Sequence, residues 1–175
     1  PLEDPSWAVG HDAIERPNIL RYEDPPGTIN VRMALMVDGE VHLASPNLDG
    51  FVLTTPIGEP ALVRPTAAWA EDGVDHPVLF WEAGELGLWF TGMSNGRGTI
   101  ATAHWDGVHF ITDGPIEGLQ ASATTGYAAA VPFDLDGIPH AIVVADEGDA
   151  QRLELWSLAS GSALRQSVIR QTPRT

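Results

Sequence analysis

The chain has 175 residues, 43% of them apolar, and a mean hydropathy of -0.04, which together predict one folded domain with a substantial core. A formal net charge of -15 argues against a nucleic-acid partner and against an anionic membrane surface, because Lys and Arg supply most of the affinity for phosphate groups. The lack of cysteine excludes disulfides, thiol nucleophiles and cysteine-bound metals. No apolar run has the length of a membrane span.

The acidic character of the chain fits several kinds of partner. An isoelectric point near 4.5 suits neutral glycans, cations or basic protein surfaces, although solubility alone also accounts for it. The sequence begins with Pro1 and not with methionine, so we expect a processed, cleaved or trimmed product. The compartment stays open, and a secreted or periplasmic location is the one we favour.

Short strands are the elements predicted first along the chain. The 18 glycines and 14 prolines separate short apolar runs, and no long amphipathic helix is predicted. Residues 15–20 (ERPNIL) begin a unit that continues with VRMALMVDGEVHLASPNLDGFVL. Its pattern predicts strand, strand, turn, strand, Asp-Gly turn and strand.

A second copy of this unit follows. Residues 75–80 (DHPVLF) align with the first copy, and LGLWFTGMSNGRGTIATAHWDGVHF continues them. The dipeptides Asp49-Gly50 and Asp106-Gly107 then fall at equivalent hairpin positions. Upstream, Trp7 and Trp69 align with each other at the beginning of the two copies.

A third and weaker copy runs through AAAVPF, HAIVVAD, RLELWSL and ALRQSVI, which spaces Pro17, Pro77 and Pro132 by 60 and 55 residues. Four short strands recurring at this period are typical of propeller blades. We therefore predict an all-β fold, a β-propeller of four-stranded blades with three blades in this chain. The expected limits of the blades are residues 5–62, 63–122 and 123–175.

Three blades are too few to close a ring, since propellers usually have four to eight. Unclosed blades would also leave unpaired surfaces that favour aggregation. We expect the missing blades to come from a second chain, from a cleaved N-terminal portion or from a symmetry mate.

The pattern of acid, Arg or His, Pro and apolar strand, followed by LWFTG and IATAHWDGVHF, resembles the blades of furanosidase-type five-bladed propellers, the arabinanase-like and fructosidase-like glycoside hydrolases and their relatives. The resemblance implies a five-bladed ring with a carbohydrate pocket at one end of its axis. It also implies that acids on the innermost strands catalyse the reaction, and these match Glu15 and Asp75 here. The third copy departs from the pattern, because Ala129, Ala130 and Val131 precede its proline.

The basic residues beside these acids are the next candidates. Glycoside hydrolysis needs two carboxyl groups, one protonated and one ionised. Arg16 and His76 would lower the pKa of a neighbouring acid or bind sugar hydroxyls. The alternative is that both pairs only satisfy strand ends and fill a narrow channel with salt bridges. Because adjacent strand residues point to opposite faces, we expect one residue of each pair to face the axis.

Tryptophan rings suit stacking on sugars, and Trp7, Trp69 and Trp81 are candidates for substrate binding, with packing as the equal alternative. A second group of tryptophans is expected to pack within or between blades: Trp89, Trp105 and Trp156.

Neither a metal nor a cofactor is expected. The six histidines lack metal-ligand spacing, and residues 134–137 (DLDG) fit a turn better than a calcium loop. GMSNGRG joins two strands and opens no helix, which disfavours a phosphate site. Two functions remain open: a glycoside hydrolase completed by further blades, or a non-catalytic propeller that binds glycans or proteins or serves as a scaffold.

Overall fold

The computed structural model describes residues 14–47, 50–54, 59–148, 150–158 and 163–173. These residues form three four-stranded antiparallel sheets and one short 3-10 turn, Ala68–Ala70. Within this described part, no helix is long and apolar enough to cross a membrane.

Each sheet is one blade, and its strands pair in chain order. Blade 1 comprises β1 (Ile14–Glu23), β2 (Ile29–Val37), β3 (Glu40–Asn47) and β4 (Gly50–Leu53). Blade 2 comprises β5 (Gly73–Glu82), β6 (Glu85–Ser94), β7 (Arg97–Trp105) and β8 (Phe110–Pro115). Blade 3 comprises β9 (Gly126–Leu135), β10 (Ile138–Asp146), β11 (Ala150–Ser157) and β12 (Leu164–Pro173). The all-β fold of three four-stranded propeller blades is thereby confirmed, and the exact blade limits stay predictions.

Tight two-residue turns connect many of the strands, as the sequence indicates. Asp38-Gly39, Ala83-Gly84, Asn95-Gly96 and Asp136-Gly137 each have positive φ at both residues. This is the geometry of type I′ hairpins, whose twist matches that of the strands. GMSNGRG therefore joins β6 to β7 as predicted, and DLDG joins β9 to β10.

Apolar side chains between the sheets hold the blades together. Leu43, Leu88 and Phe90 belong to the cluster that packs blade 1 against blade 2. The second cluster packs blade 2 against blade 3 and includes Trp89 and Trp156. The predicted packing role of these two tryptophans is thus confirmed.

The innermost strands lie side by side, since β1 contacts β5 and β5 contacts β9. Asn18 Oδ1 accepts a hydrogen bond from the Leu79 N–H, which ties β5 to β1 at 2.8 Å. Thr91 Oγ1 donates to the Ala128 carbonyl, which ties β6 to β9 at 3.0 Å. The starts of the three innermost strands are thereby brought to the same end of the molecule.

The predicted equivalence of Pro132 with Pro17 and Pro77 is wrong. Pro17 and Pro77 lie inside irregularities of the β1–β2 and β5–β6 ladders, whereas Pro132 is paired with Ala141 in a regular stretch. The third blade repeats the strand order, but its proline stands at a different place, because the corresponding irregularity of β9 comes earlier.

Candidate functional site at the starts of the innermost strands

The same bulge interrupts β1 and β5. The register shifts between Glu15 and Asn18, and between Asp75 and Val78, so that two residues stand opposite one on the neighbouring strand. The first bulged residue has positive φ in both strands, 54° at Arg16 and 49° at His76. Neither residue is a glycine, and each precedes a proline that disfavours helical backbone. Such strain is common where a side chain must be aimed at a site.

The bulges overturn the expectation that only one residue of each pair faces the axis. Arg16 Nε lies 2.5 Å from Asp75 Oδ1, and Arg16 Nη1 lies 2.7 Å from His76 Nε2. Asp75 and His76 therefore both reach the same guanidinium from across the blade boundary. The alternation of a regular strand does not hold here, because the left-handed residue turns the side chain away from its normal face.

The environment of Asp75 keeps its carboxylate ionised. Partial burial raises its pKa, but the His76 ring, the His76 backbone N–H and the charge of Arg16 together lower it more, so the pKa lies below the ordinary 3.8. The backbone N–H of His76 donates to Asp75 Oδ1 at 2.8 Å. His76 Nδ1 is buried and lies 3.3 Å from Asp75 Oδ2 without hydrogen-bond geometry. Asp75 is thus a fixed anion in the neutral range of pH.

Glu15 belongs to the same cluster. Its Oε2 lies 3.9 Å from Arg16 Nε, and its side chain is 59% exposed, against 27% for Asp75. The two predicted catalytic acids therefore do meet, with one guanidinium contacting both. Their environments differ, since Asp75 is partly buried and hydrogen-bonded, whereas Glu15 is largely exposed to solvent.

Two cavities open beside this cluster, and Asp75 lines both. The axial cavity, of about 540 Å³, lies between the starts of β5, β7 and β9. A smaller cavity of about 240 Å³ lies between β1, β5 and the β2–β3 turn. The side chains of the axial cavity that carry charge or hydrogen-bonding groups are Asp75, His76, Arg97, Thr124, Tyr127, Asp146, Glu147 and Gln151.

Several of these residues were missed at the sequence level. Tyr127 occupies the start of β9, and burial together with the charge of Glu154 raises its pKa above the ordinary 10.0. Glu147 directly follows β10, and its carboxylate binds Arg152 on β11. Arg97 follows the Asn95-Gly96 turn, and its position as the one basic residue of GMSNGRG was the signal that could have identified it.

The tryptophan candidates are not brought together. Trp7 lies outside the described residues. Trp69 lies in the 3-10 turn and packs against β6 beside Phe90, with ring centroids 6.0 Å apart. Trp81 lies near the other end of β5, where it stacks on Tyr22 at a centroid distance of 4.2 Å. Of the two candidates that the structure describes, Trp69 is therefore near the same end of the blades as Asp75, and Trp81 is not.

No group of three or more acidic or histidine side chains in the described residues has the arrangement of a metal site. His104 pairs with Asp113 at 2.6 Å on the outer strands of blade 2. Asp106 accepts hydrogen bonds from the backbone N–H groups of Val108 and His109, which lower its pKa and form the predicted turn. Asp134 likewise accepts from the Gly137 N–H, as expected of a turn.

No protein-family model and no curated protein sequence matches the chain. The solved structures that are similar to it include fructan 1-exohydrolase IIa from Cichorium intybus and a candidate glycoside hydrolase from Parabacteroides distasonis. The first has a TM-score of 0.60 at 11% identity over 93% of this chain. The second has a TM-score of 0.54 at 16% identity over 87% of it.

The chain spans 33% of the length of the first of these proteins and 52% of the second. At such low identity the similarity is one of fold. The resemblance of the blades to furanosidase-type propellers, predicted from the acid–basic–Pro and LWFTG patterns, is confirmed at this level.

Proposed function

We propose that the chain supplies three blades of a carbohydrate-active β-propeller and that its ligand binds at the axial end, beside Asp75. The observation that carries this proposal is the repeated bulge of β1 and β5, which brings Glu15, Arg16, Asp75 and His76 into one cluster at the mouth of a cavity. Strained backbone in two blades is difficult to explain by packing alone. The similarity of fold to two glycoside hydrolases supports the same ligand class.

In this proposal the protein is a glycoside hydrolase, and Asp75 acts as its ionised carboxylate. An anion at this place would attack the anomeric carbon or stabilise the positive charge of the transition state. The second carboxyl group must carry a proton, and Glu15 is the candidate on this chain. Arg16 and His76 would hold the sugar hydroxyls and fix the orientation of Asp75.

Hydrolysis of 4-nitrophenyl arabinofuranoside and a fructofuranoside tests this role. We expect Asp75→Asn and Glu15→Gln each to reduce the rate at least about a hundredfold, the usual contribution of a positioned acid or base. Asp113→Asn is the matched control, because Asp113 also pairs with a histidine but lies on the outer strand of blade 2. Unchanged rates in both site variants, with a folded protein, would contradict the catalytic roles.

A non-catalytic carbohydrate-binding propeller is the second candidate, and the position of Arg16 favours it. One guanidinium lies near both carboxylates, and its close contact with Asp75 makes that residue part of an ion pair. Blade 3 adds Tyr127 at the equivalent place and no acid. If this candidate is correct, the wild-type protein binds a methyl furanoside and hydrolyses no furanoside. Asp75→Asn then weakens that binding.

We further infer that another blade packs on the outer face of blade 3. Ala130 and Ala141 face blade 2, so the alternate residues Val131 and Ile142 face the other way. These two are paired across the strands and are 50% and 36% exposed. The corresponding faces between blades 1 and 2 and between blades 2 and 3 are apolar and covered.

Light scattering tests this packing. The partner blade would come from a second chain, from further sequence of the same polypeptide or from a second copy, in a ring that we propose to have five blades. We expect the protein from its source to have a mass above 18.7 kDa, the mass of this chain. If the protein from its source is a stable, folded species with the mass of this chain and no larger species is present, the inference is overturned.

A further inference from the structure

A third depression lies on the same end of the molecule, next to the axial cavity. It has a volume of about 500 Å³, and we call it the rim groove. The residues whose side chains give it its character are Trp69, Ser94, Asn95, Arg97 and Ser122. They come from the 3-10 turn, from the β6–β7 hairpin and from the segment before β9.

The β6–β7 hairpin that forms one wall of the rim groove is firmly held. Glu71 Oε1 accepts hydrogen bonds from Ser94 Oγ and from Asn95 Nδ2, each at 3.0 Å. Asp72 Oδ2 accepts from the Asn95 backbone N–H at 2.6 Å. The tip of the hairpin is therefore a fixed wall, and groups presented from it do not need to be ordered when a ligand binds.

Arg97 connects the two depressions, because it lines both the axial cavity and the rim groove. The Nη1 of its guanidinium donates to the Ser122 carbonyl, which holds the exposed side chain between the axial cavity and the rim groove. A guanidinium carries five N–H donors, so this bond leaves donors for ligand oxygens on both sides.

Trp69 forms the apolar part of the rim groove. The ring packs closely over Gly92, where an added β-carbon would overlap it, and it remains partly exposed beside Ser94 and Asn95. A flat aromatic surface beside hydroxyl and amide groups is suited to a sugar ring, which has apolar C–H faces and polar edges.

We propose that the rim groove is a second sugar-binding subsite and that the ligand of this site is a neutral oligosaccharide. Its terminal unit occupies the axial cavity beside Asp75, the next unit lies against Trp69, and Arg97 binds oxygens of both. A neutral ligand is favoured because the axial cavity is lined by Asp75, Asp146 and Glu147. This inference rests on the proposed function, since it extends the same site.

Calorimetric titration with ligands of two lengths tests the subsite. The probes are methyl arabinofuranoside with arabinotriose, and methyl fructofuranoside with inulotriose. We expect a trisaccharide of at least one series to bind the wild-type protein more tightly than its monosaccharide. Trp69→Leu, which keeps apolar packing over Gly92, should lower the affinity for the trisaccharide about tenfold and leave that for the monosaccharide unchanged.

Trp105→Leu is the matched control, because Trp105 also packs edge-on against a phenylalanine but lies at the end of β7 away from the groove. Arg97→Gln provides a second variant on an exposed side chain, and it should weaken trisaccharide binding more than monosaccharide binding. Equal affinities for both lengths, or equal losses for both in Trp69→Leu and Arg97→Gln, would overturn the subsite alone. Failure of every probe to bind would instead contradict the proposed function.

Discussion

Blades 2 and 3 have the same strand order, but the starts of their innermost strands differ in charge. In blade 2 this start carries Asp75 and His76, which the bulge directs toward Arg16. In blade 3 the innermost strand is also bulged, but Tyr127, Ala128 and Ala129 carry no charge there. The comparison teaches that the residues at the bulge, and not the blade topology, determine whether an innermost strand contributes charge to the site.

Blade 3 has a buried cluster of charges on its outer strands. Glu154 is 1% exposed, and its carboxylate binds Arg152 Nε at 3.0 Å, Arg165 Nη1 at 3.1 Å and Trp156 Nε1 at 2.9 Å. Every one of these partners is on β11 or β12, away from the axis. We interpret this cluster as structural, since a buried carboxylate with three donors stabilises a sheet only while all of them remain.

The largest expected effect is on blade 3. Glu154→Gln removes the buried negative charge that binds Arg165 and, together with Glu147, binds Arg152, and we expect the free energy of unfolding to fall by about 3–5 kcal/mol. Urea denaturation measures this loss. Glu85→Gln, on an exposed glutamate at the start of β6, is the control and should change stability by less than about 0.5 kcal/mol. A loss of stability of similar size in both variants would contradict the structural role of Glu154 in blade 3.

The boundary between the two blades gives the next effect. Gly98 on β7 has ordinary backbone, but an added β-carbon would overlap the Tyr127 carbonyl oxygen and the Thr91 side chain. We expect Gly98→Ala to cost about 1–3 kcal/mol of unfolding free energy through overpacking. Retained wild-type stability, measured by thermal unfolding, would mean that β7 and β9 are less closely packed than the structure indicates.

The third effect, of a similar size, concerns the acid stability of the site. Because the pKa of Asp75 is lowered in the folded state, its contribution to stability is complete above its unfolded pKa and is lost as the pH falls through the folded value. Asp75→Asn should therefore be less stable at pH 7 by about 1–3 kcal/mol. Its stability curve should approach that of the wild-type protein below pH about 4. Parallel curves over this range would contradict the ionised state of Asp75.

Much of the fold could be predicted from local patterns. The dipeptides at Asp38, Asn95 and Asp136 have the residues that type I′ turns require, and each forms a hairpin. The recurrence of Glu15-Arg16 as Asp75-His76 likewise predicted that the two pairs would meet, because equivalent positions of neighbouring blades share an environment.

Other features depend on backbone geometry that the sequence did not reveal. The positive φ of Arg16 and His76 is unexpected for these residue types before proline, so strand alternation predicted the wrong orientation for one residue of each pair. The alignment of the third copy on Pro132 was wrong because the position of the bulge in β9 is visible only in the strand register. Glu154, an acid among Leu153, Leu155 and Trp156, was a visible signal of a buried charge.

Binding of a methyl furanoside to Asp75→Asn and Asp113→Asn, measured side by side by titration calorimetry, tests the central claim most directly. Both variants remove one carboxylate from an aspartate–histidine pair, but only Asp75 lies at the axial end. We predict that Asp75→Asn weakens binding at least about tenfold, as expected for a lost charged hydrogen-bond acceptor, while Asp113→Asn binds like the wild-type protein. Equal affinities in the two variants would contradict a carbohydrate site at the starts of the innermost strands.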